Sequence, residues 1–175
     1  MTNKYMYFIA NWKMFGVLKS LNSLNIVIKF FKNFKKHKNI KIIYCPPSTL
    51  IFPMSKNFKN TRIKIGAQNC HEDNYYGPFT GSINSSMLKS VGASYVIIGH
   101  SENRKNGEDD KLINLKIKSA LKSGLKVIFC IGETLKEKRK KDTKKILLKQ
   151  IKIGLDRIKD KKDLIIAYEP IWAIG

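Results

Sequence analysis

A parallel α/β fold closed as a (β/α)8 barrel is predicted by three features of the chain. Short β-branched apolar runs recur along it, longer amphipathic stretches separate them, and polar residues follow several of the runs at once. The first two features make a parallel sheet with helices outside it. The third separates a barrel from an open doubly wound sheet. A doubly wound nucleotide binder carries a glycine-rich turn after its first strand, whereas here that turn is Asn11-Trp12-Lys13-Met14-Phe15-Gly16, with neither GxGxxG nor GxxxxGK[ST]. Polar residues placed past the ends of different strands are how a barrel builds its active face.

The strand-forming runs occupy residues 6–10, 40–44, 63–67, 95–98, 126–130 and 164–168. Their centres fall roughly 20 to 40 residues apart, near the ~30 of one βαβ unit. Helical stretches are expected over 17–34, 48–57, 84–90, 109–123 and 135–158. Gly92 and Gly124 stand where helix C-caps belong, each shortly before the next strand.

At 175 residues the chain fits one domain, taken here as residues 1–175. No apolar run approaches the ~18 residues that span a bilayer. The opening Met1-Thr2-Asn3-Lys4-Tyr5 lacks the apolar core of a secretory signal, so a cytoplasmic location is expected, with no membrane partner. Three scattered cysteines (Cys45, Cys70, Cys130) show no CxxC spacing, which excludes a disulfide framework and a structural zinc site from the expectations.

The net charge of +21 raises polyanion binding as a function. The cations are nearly all lysine, with arginine only at Arg62, Arg104, Arg139 and Arg157. Readers of phosphate and bases favour the bidentate arginine fork. The densest cluster, residues 136–145, is interrupted by Glu137 and Asp142 and is expected to be a solvated helix face. No specific nucleic acid is expected as a partner.

The groups suited to chemistry follow the strands directly. Asn11 and Lys13 follow the first, on one face by the strand period of two. His100, Ser101 and Glu102 follow the fourth, and Glu169 ends the sixth. Singly, each is more often a solvated or capping residue. Together they bring a cation, a neutral donor, an imidazole and a carboxylate to one end of one sheet, which suits an enzyme acting on a small anion.

The chain also carries Asn11-Trp12-Lys13-Met14, Gly66-Ala67-Gln68-Asn69, Gly77-Pro78-Phe79-Thr80-Gly81, Ile97-Ile98-Gly99-His100-Ser101-Glu102, Cys130-Ile131-Gly132-Glu133 and Ala167-Tyr168-Glu169-Pro170-Ile171-Trp172-Ala173-Ile174-Gly175. In their order and approximate spacing these motifs resemble triosephosphate isomerase. The resemblance implies a TIM barrel and a homodimer of glycolysis and gluconeogenesis. It implies interconversion of dihydroxyacetone phosphate and glyceraldehyde 3-phosphate through an enediolate, with no cofactor and no metal. By position it implies Glu169 as general base, desolvated by its surroundings, to which Ile171 and Ala173 contribute, so that its pKa rises. His100 matches the family's neutral electrophile, an imidazole kept uncharged by a helix N-terminus, and Ser101-Glu102-Asn103 opens a short helix behind it. Lys13 matches the substrate-binding lysine, Asn11 its neutral partner, Glu102 a supporting carboxylate and Gly175 a backbone donor to the substrate phosphate.

Departures from the family pattern sharpen the expectations. Ser82 and Asn103 replace a Glu and Arg of many members, which leaves no lone charge at the implied dimer interface; Pro78 suits its turn. An eight-unit barrel needs about 250 residues, so a chain ending at Gly175 is expected to be truncated after strand six, with about six of eight βα units. Three functions remain distinct: the isomerase, an inactive truncated remnant of it, and a basic polyanion-binding protein on a barrel fold.

Overall fold

The computed structural model describes residues 5–33 and 39–174. Among these residues six strands are present: β1 (Met6–Asn11), β2 (Ile40–Cys45), β3 (Ile63–Ala67), β4 (Tyr95–Ile98), β5 (Lys126–Ile131) and β6 (Leu164–Tyr168). They form one sheet in the order β1-β2-β3-β4-β5-β6, with every neighbouring pair parallel. An open doubly wound sheet would reverse its strand order at a switch point. Unbroken sequential order instead sends each right-handed crossover to the same side and curls the sheet away from it. The expected barrel curvature is therefore present over six strands.

The two faces confirm the curl. The concave face holds Ile43, Cys45, Tyr95, Ile97, Ile128 and Cys130, packed against Tyr7, Ile9, Ile165 and Ala167, all from strands. The convex face holds Ile42, Ile63, Ile65, Val96, Ile98, Val127, Phe129 and Ile131, and it is there that the helices deliver Leu50, Met54, Leu88, Ile113 and Ile117. Strands buried on both faces explain the near-continuous apolar runs. At the two edges the convex side is open: Met6 and Phe8 on β1 are 56% and 53% exposed, and Ile166 and Tyr168 on β6 are 43% and 53%.

The helices are α1 (Leu24–Asn33), α2 (Ser48–Asn57), α3 (Ser85–Ser90), α4 (Ser101–Lys105), α5 (Asp110–Lys122), α6 (Leu135–Arg139) and α7 (Thr143–Gly154). Three starts are capped by side-chain oxygens: Asn84 accepts from Met87 N, Asp109 from Leu112 N, and Thr134 with Glu137 forms a capping box. Gly92 and Gly124 follow α3 and α5 with φ of 100° and 73°, as C-caps should.

Two expected helices are divided. Over 17–34 the first turn is a 3-10 turn, Leu18–Ser23, before α1 begins. Ser20 Oγ accepts from Val17 N and Ser23 Oγ donates to Ser20 O, so serine side chains compete there with the helix ladder. Residue 34, the expected end of that helix, lies outside the described residues. Over 135–158 the break falls at residues 140–142, where Lys141 adopts φ 62°. Lys136, Lys138, Arg139, Lys140 and Lys141 would stack like charges along one continuous helix; dividing it lets the cations splay into solvent. The expectation of a solvated face holds, since Lys136, Lys138, Lys140, Lys144 and Lys145 are all exposed.

Close packing of α7 on the sheet depends on Gly154. A Cβ there would lie 2.5 Å from Phe129 Cζ, and Phe129 is fully buried. Gly154→Ala should therefore lose stability by about 1–3 kcal/mol from overpacking, more than the ~1 kcal/mol that alanine gains in helix propensity. Urea denaturation of the variant measures the balance, and a stabilised variant would contradict this packing.

Candidate active site at the strand C-termini

Parallel strands present all their C-terminal ends at one rim, and the expected site residues meet there. Asn11 ends β1, His100 follows β4 and Glu169 follows β6. Lys13 joins them by a route the strand period does not describe. It lies beyond β1 in a turn and takes the left-handed conformation, φ 51°, which costs a non-glycine residue roughly 1–3 kcal/mol. The turn is held from both sides: Lys13 N donates to Asn11 Oδ1 at 2.9 Å, and Gln68 Nε2 donates to Lys13 O at 2.8 Å and to Cys45 O at 2.9 Å. The ammonium of Lys13 then reaches Glu102 Oε1 at 3.0 Å. The two groups are paired.

His100 is buried, at 7% exposure, and is fixed at both ring nitrogens. Gly99, at φ 77°, makes the turn out of β4, and Arg104 holds that turn by donating through Nε to Gly99 O at 2.8 Å. His100 then stands at the N-cap of α4, the short helix expected behind it, and its Nδ1 accepts from Glu102 N at 3.3 Å. An accepting Nδ1 places the ring proton on Nε2. Nε2 lies 2.6 Å from Glu169 Oε1, and Ser101 N donates to Glu169 Oε2 at 3.3 Å.

These contacts alter the expected ionisation of Glu169. Burial pushes its pKa up, but the hydrogen bonds from His100, the Ser101 amide and the Cys130 thiol together outweigh burial and hold it below the ordinary value. The desolvation comes from the sheet interior beside Cys130, whose thiol is itself pushed up to about 12, chiefly by burial. It does not come from the following residues, since Ala173 is exposed and Ile171 only half-buried.

Asn11, Lys13, Gln68, His100, Glu102 and Asn103 line a cleft of about 490 Å³. Glu169 does not line it; its carboxylate is turned onto His100 and Ser101. Gly175 lies outside the described residues. Among the described residues no group of three or more His, Cys, Asp and Glu side chains is placed to hold a metal ion.

Three supporting groups escaped the sequence reading. Gln68 is one. Glu133, after β5, is buried and accepts from Tyr168 Oη to both oxygens at 3.1 Å, from Trp172 Nε1 at 3.0 Å and from Thr143 Oγ1 at 3.3 Å. Burial raises its pKa, and these donors overcome that and lower it. It thereby ties the segment after Glu169 to β5, and Lys138 Nζ stacks 3.1 Å from the Trp172 ring centroid on the other side. The rule that picked out Glu169, a carboxylate closing an apolar strand, applies equally to Glu133. Lys116 is the third: it bonds Glu108 Oε1 and the Oδ1 of Asn69, the neighbour of Gln68 in sequence. Its signal was a lysine on the apolar stripe of Ile113, Ile117 and Ala120.

The family model for triosephosphate isomerase matches residues 6–175. The chain belongs to the triosephosphate isomerase family. It is 42% identical over 169 residues to triosephosphate isomerase of Aquifex aeolicus, covering 95% of this chain and 67% of that one. It is 43% identical over 170 residues to that of Thermodesulfovibrio yellowstonii, covering 97% and 68%. The crystal structure of triosephosphate isomerase from Bartonella henselae superposes with a TM-score of 0.86 at 36% identity, over 97% of this chain and 68% of that one. The chain thus spans about two thirds of the length of these family members. Among the described residues no helix is long and apolar enough to cross a membrane.

Two outcomes test the site's construction. Gln68→Glu sets a carboxylate oxygen against the carbonyls of Lys13 and Cys45; thermal melts at pH 7 should show a loss of about 1–3 kcal/mol, partly recovered in acid as the new carboxyl regains a proton to donate. For Glu169 the lowered folded pKa means stability present above its unfolded value, near 4.5, and lost as pH falls through the folded value. Glu169→Gln should therefore flatten the acid limb of the stability profile, read by denaturant titration from about pH 3 to 7. An unchanged limb would show that Glu169 gains nothing from His100.

Proposed function

We propose that this chain interconverts dihydroxyacetone phosphate and glyceraldehyde 3-phosphate, with Glu169 as general base, His100 as electrophile and Lys13 as the binding cation. The observation that carries the assignment is the doubly fixed imidazole. His100 has its one ring proton on Nε2, aimed at the carboxylate that is to act as base. The carboxylate of Glu169 removes a proton from the carbon beside the substrate carbonyl. The electron pair moves onto the carbonyl oxygen, and Nε2–H donates to the oxygens of the enediolate as charge develops there. A proton passes between the two enediolate oxygens by way of His100 Nε2, Glu169 returns its own proton to the neighbouring carbon, and the isomerisation is complete with no net change in the enzyme. Lys13, oriented by Glu102, balances the added negative charge, and Asn11 steadies the lysine turn.

The resting contact gives this reaction a built-in gain. A substrate oxygen that takes over the Nε2–H removes the main influence holding the Glu169 pKa down. Burial is then less opposed, and the carboxylate becomes a stronger base when substrate is present. Gly175 completes the assignment as a backbone donor to the substrate phosphate.

The same reading places the enzyme in the cytoplasm as a homodimer. After β1, Met14, Phe15, Val17 and Leu18 are 94%, 75%, 66% and 67% exposed, and in the loop after β3, Tyr75 and Tyr76 are 68% and 83% exposed. Exposed apolar and aromatic side chains in loops suit contact with a second copy.

Isomerisation of glyceraldehyde 3-phosphate by the purified chain is the direct test. Glu169→Asp should lower kcat by ~10²-fold or more, because a withdrawn carboxylate misplaces the proton-accepting oxygen by about 1 Å. His100→Gln should lower it by ~10²–10³-fold. Activity that is absent from the folded chain, or that survives both changes, would overturn the assignment.

A further inference from the structure

We propose that the groove between α5 and α7 is a docking site for an acidic amphipathic helix of a partner protein. The groove measures about 760 Å³ and lies on the outer surface, away from the cleft. Its walls carry Leu115, Leu148 and Ile153 among Lys111, Lys149 and Lys152. Leu115 and Leu148 are 51% and 55% exposed. Neither belongs to the core-facing stripes, which run through Ile113, Ile117 and Ala120 on α5 and rest on Leu147 and Ile151 of α7. Each wall thus presents a leucine and a lysine one turn apart, Leu115 with Lys111 and Leu148 with Lys152.

The groove is already formed. The buried Asn114 donates through Nδ2 to Gly154 O at 2.9 Å and to Asp156 O at 3.0 Å, which pins the C-terminal end of α7 to α5. A trough between two packed helices matches a third helix, ~10 Å across, laid along it. Its apolar stripe would cover the leucines, and its flanking carboxylates would meet the lysines.

Charge selects among occupants. The rim carries three lysines and one carboxylate, Asp156, on a chain of net charge +21. A second copy would set these lysines against their own images. A nucleic acid would find neither arginine nor an aromatic ring to stack on. A flat bilayer surface would bridge the concavity and leave the leucines uncovered.

The test is a fluorescence-anisotropy titration of the whole chain with a labelled helical peptide of about 18 residues, roughly five turns. The peptide bears a leucine stripe flanked by glutamates. Its controls are a scramble of the same composition and a version with lysine flanks. Saturable binding of the first peptide alone is expected, weakening with salt. Leu148→Ser and the pair Lys149→Glu with Lys152→Glu should each weaken it about tenfold or more. All three positions are exposed, and circular dichroism confirms that the variants fold. The charge-matched pair Lys136→Glu with Lys140→Glu, exposed on and after α6, should leave binding unchanged. Equal binding of the scramble, indifference to Leu148→Ser, or an equal loss with the remote pair would each overturn the proposal. So would preferential binding to phosphatidylserine vesicles that the same groove variants abolish.

Discussion

The open end of the sheet depends on one side chain, the imidazole of His100. Its Nδ1 closes the first turn of α4, and its Nε2 reaches across to the residue after β6. One ring therefore couples the fourth strand to the sixth, and β5, lying between them, is braced on the same side by Arg104, which donates to Cys130 O at 3.3 Å. A ring committed at both nitrogens has a single tautomer and a single orientation. That is the condition for a group that must present one proton in one direction. The backbone around it is correspondingly specialised, with left-handed turns at Gly99 and Lys13 on either side of the cleft. Strained residues persist where the surroundings over-determine them, and the bonds from Asn11 and Gln68 to the Lys13 turn do that here.

Much of this was legible in the sequence, and the residues show why. The runs at 63–67, 95–98 and 164–168 coincide with β3, β4 and β6; the interior strand β4, buried throughout, shows why, being written as uninterrupted apolar residues. The stretch 48–57 coincides with α2. Asn11, His100 and Glu169 were visible as polar residues closing such runs. Less visible was anything that depends on a partner distant in the chain. Gln68 supports a carbonyl 55 positions away, and Glu133 gathers donors from residues up to 39 positions away. The ionisation of Glu169 was hidden for the same reason: local sequence suggests burial, while the opposing donors come from 68 positions back. Helix breaks at 18–23 and 140–142 were likewise hidden, since apolar period alone does not report serine side chains competing for the backbone or a crowd of like charges.

The charge of the molecule divides into two populations with different physical meaning. Lysines on α6 and the start of α7 stand in water, where the ionic atmosphere screens them within about 8 Å. Lys116 does not: it is 6% exposed and bound to Glu108 and Asn69. Removing one partner of such a pair leaves an uncompensated charge in a poorly polarisable setting, a penalty of ~3–5 kcal/mol. Composition counts these lysines alike, and only burial tells them apart.

The strand order has a consequence for how the molecule comes into being. Because β1 through β6 pair strictly in sequence, each βα unit leaving a ribosome meets an edge that the previous unit has just completed. From β2 to β6 each described strand finds one partner already made, so the growing chain can add to its structure during translation. Loop-closure costs remain those of neighbouring units, not of the whole length. The growing edge is the newest strand, while the outer side of β1, with Met6 and Phe8, is exposed among the described residues. It is there that a nascent chain most needs protection from its neighbours on a crowded polysome.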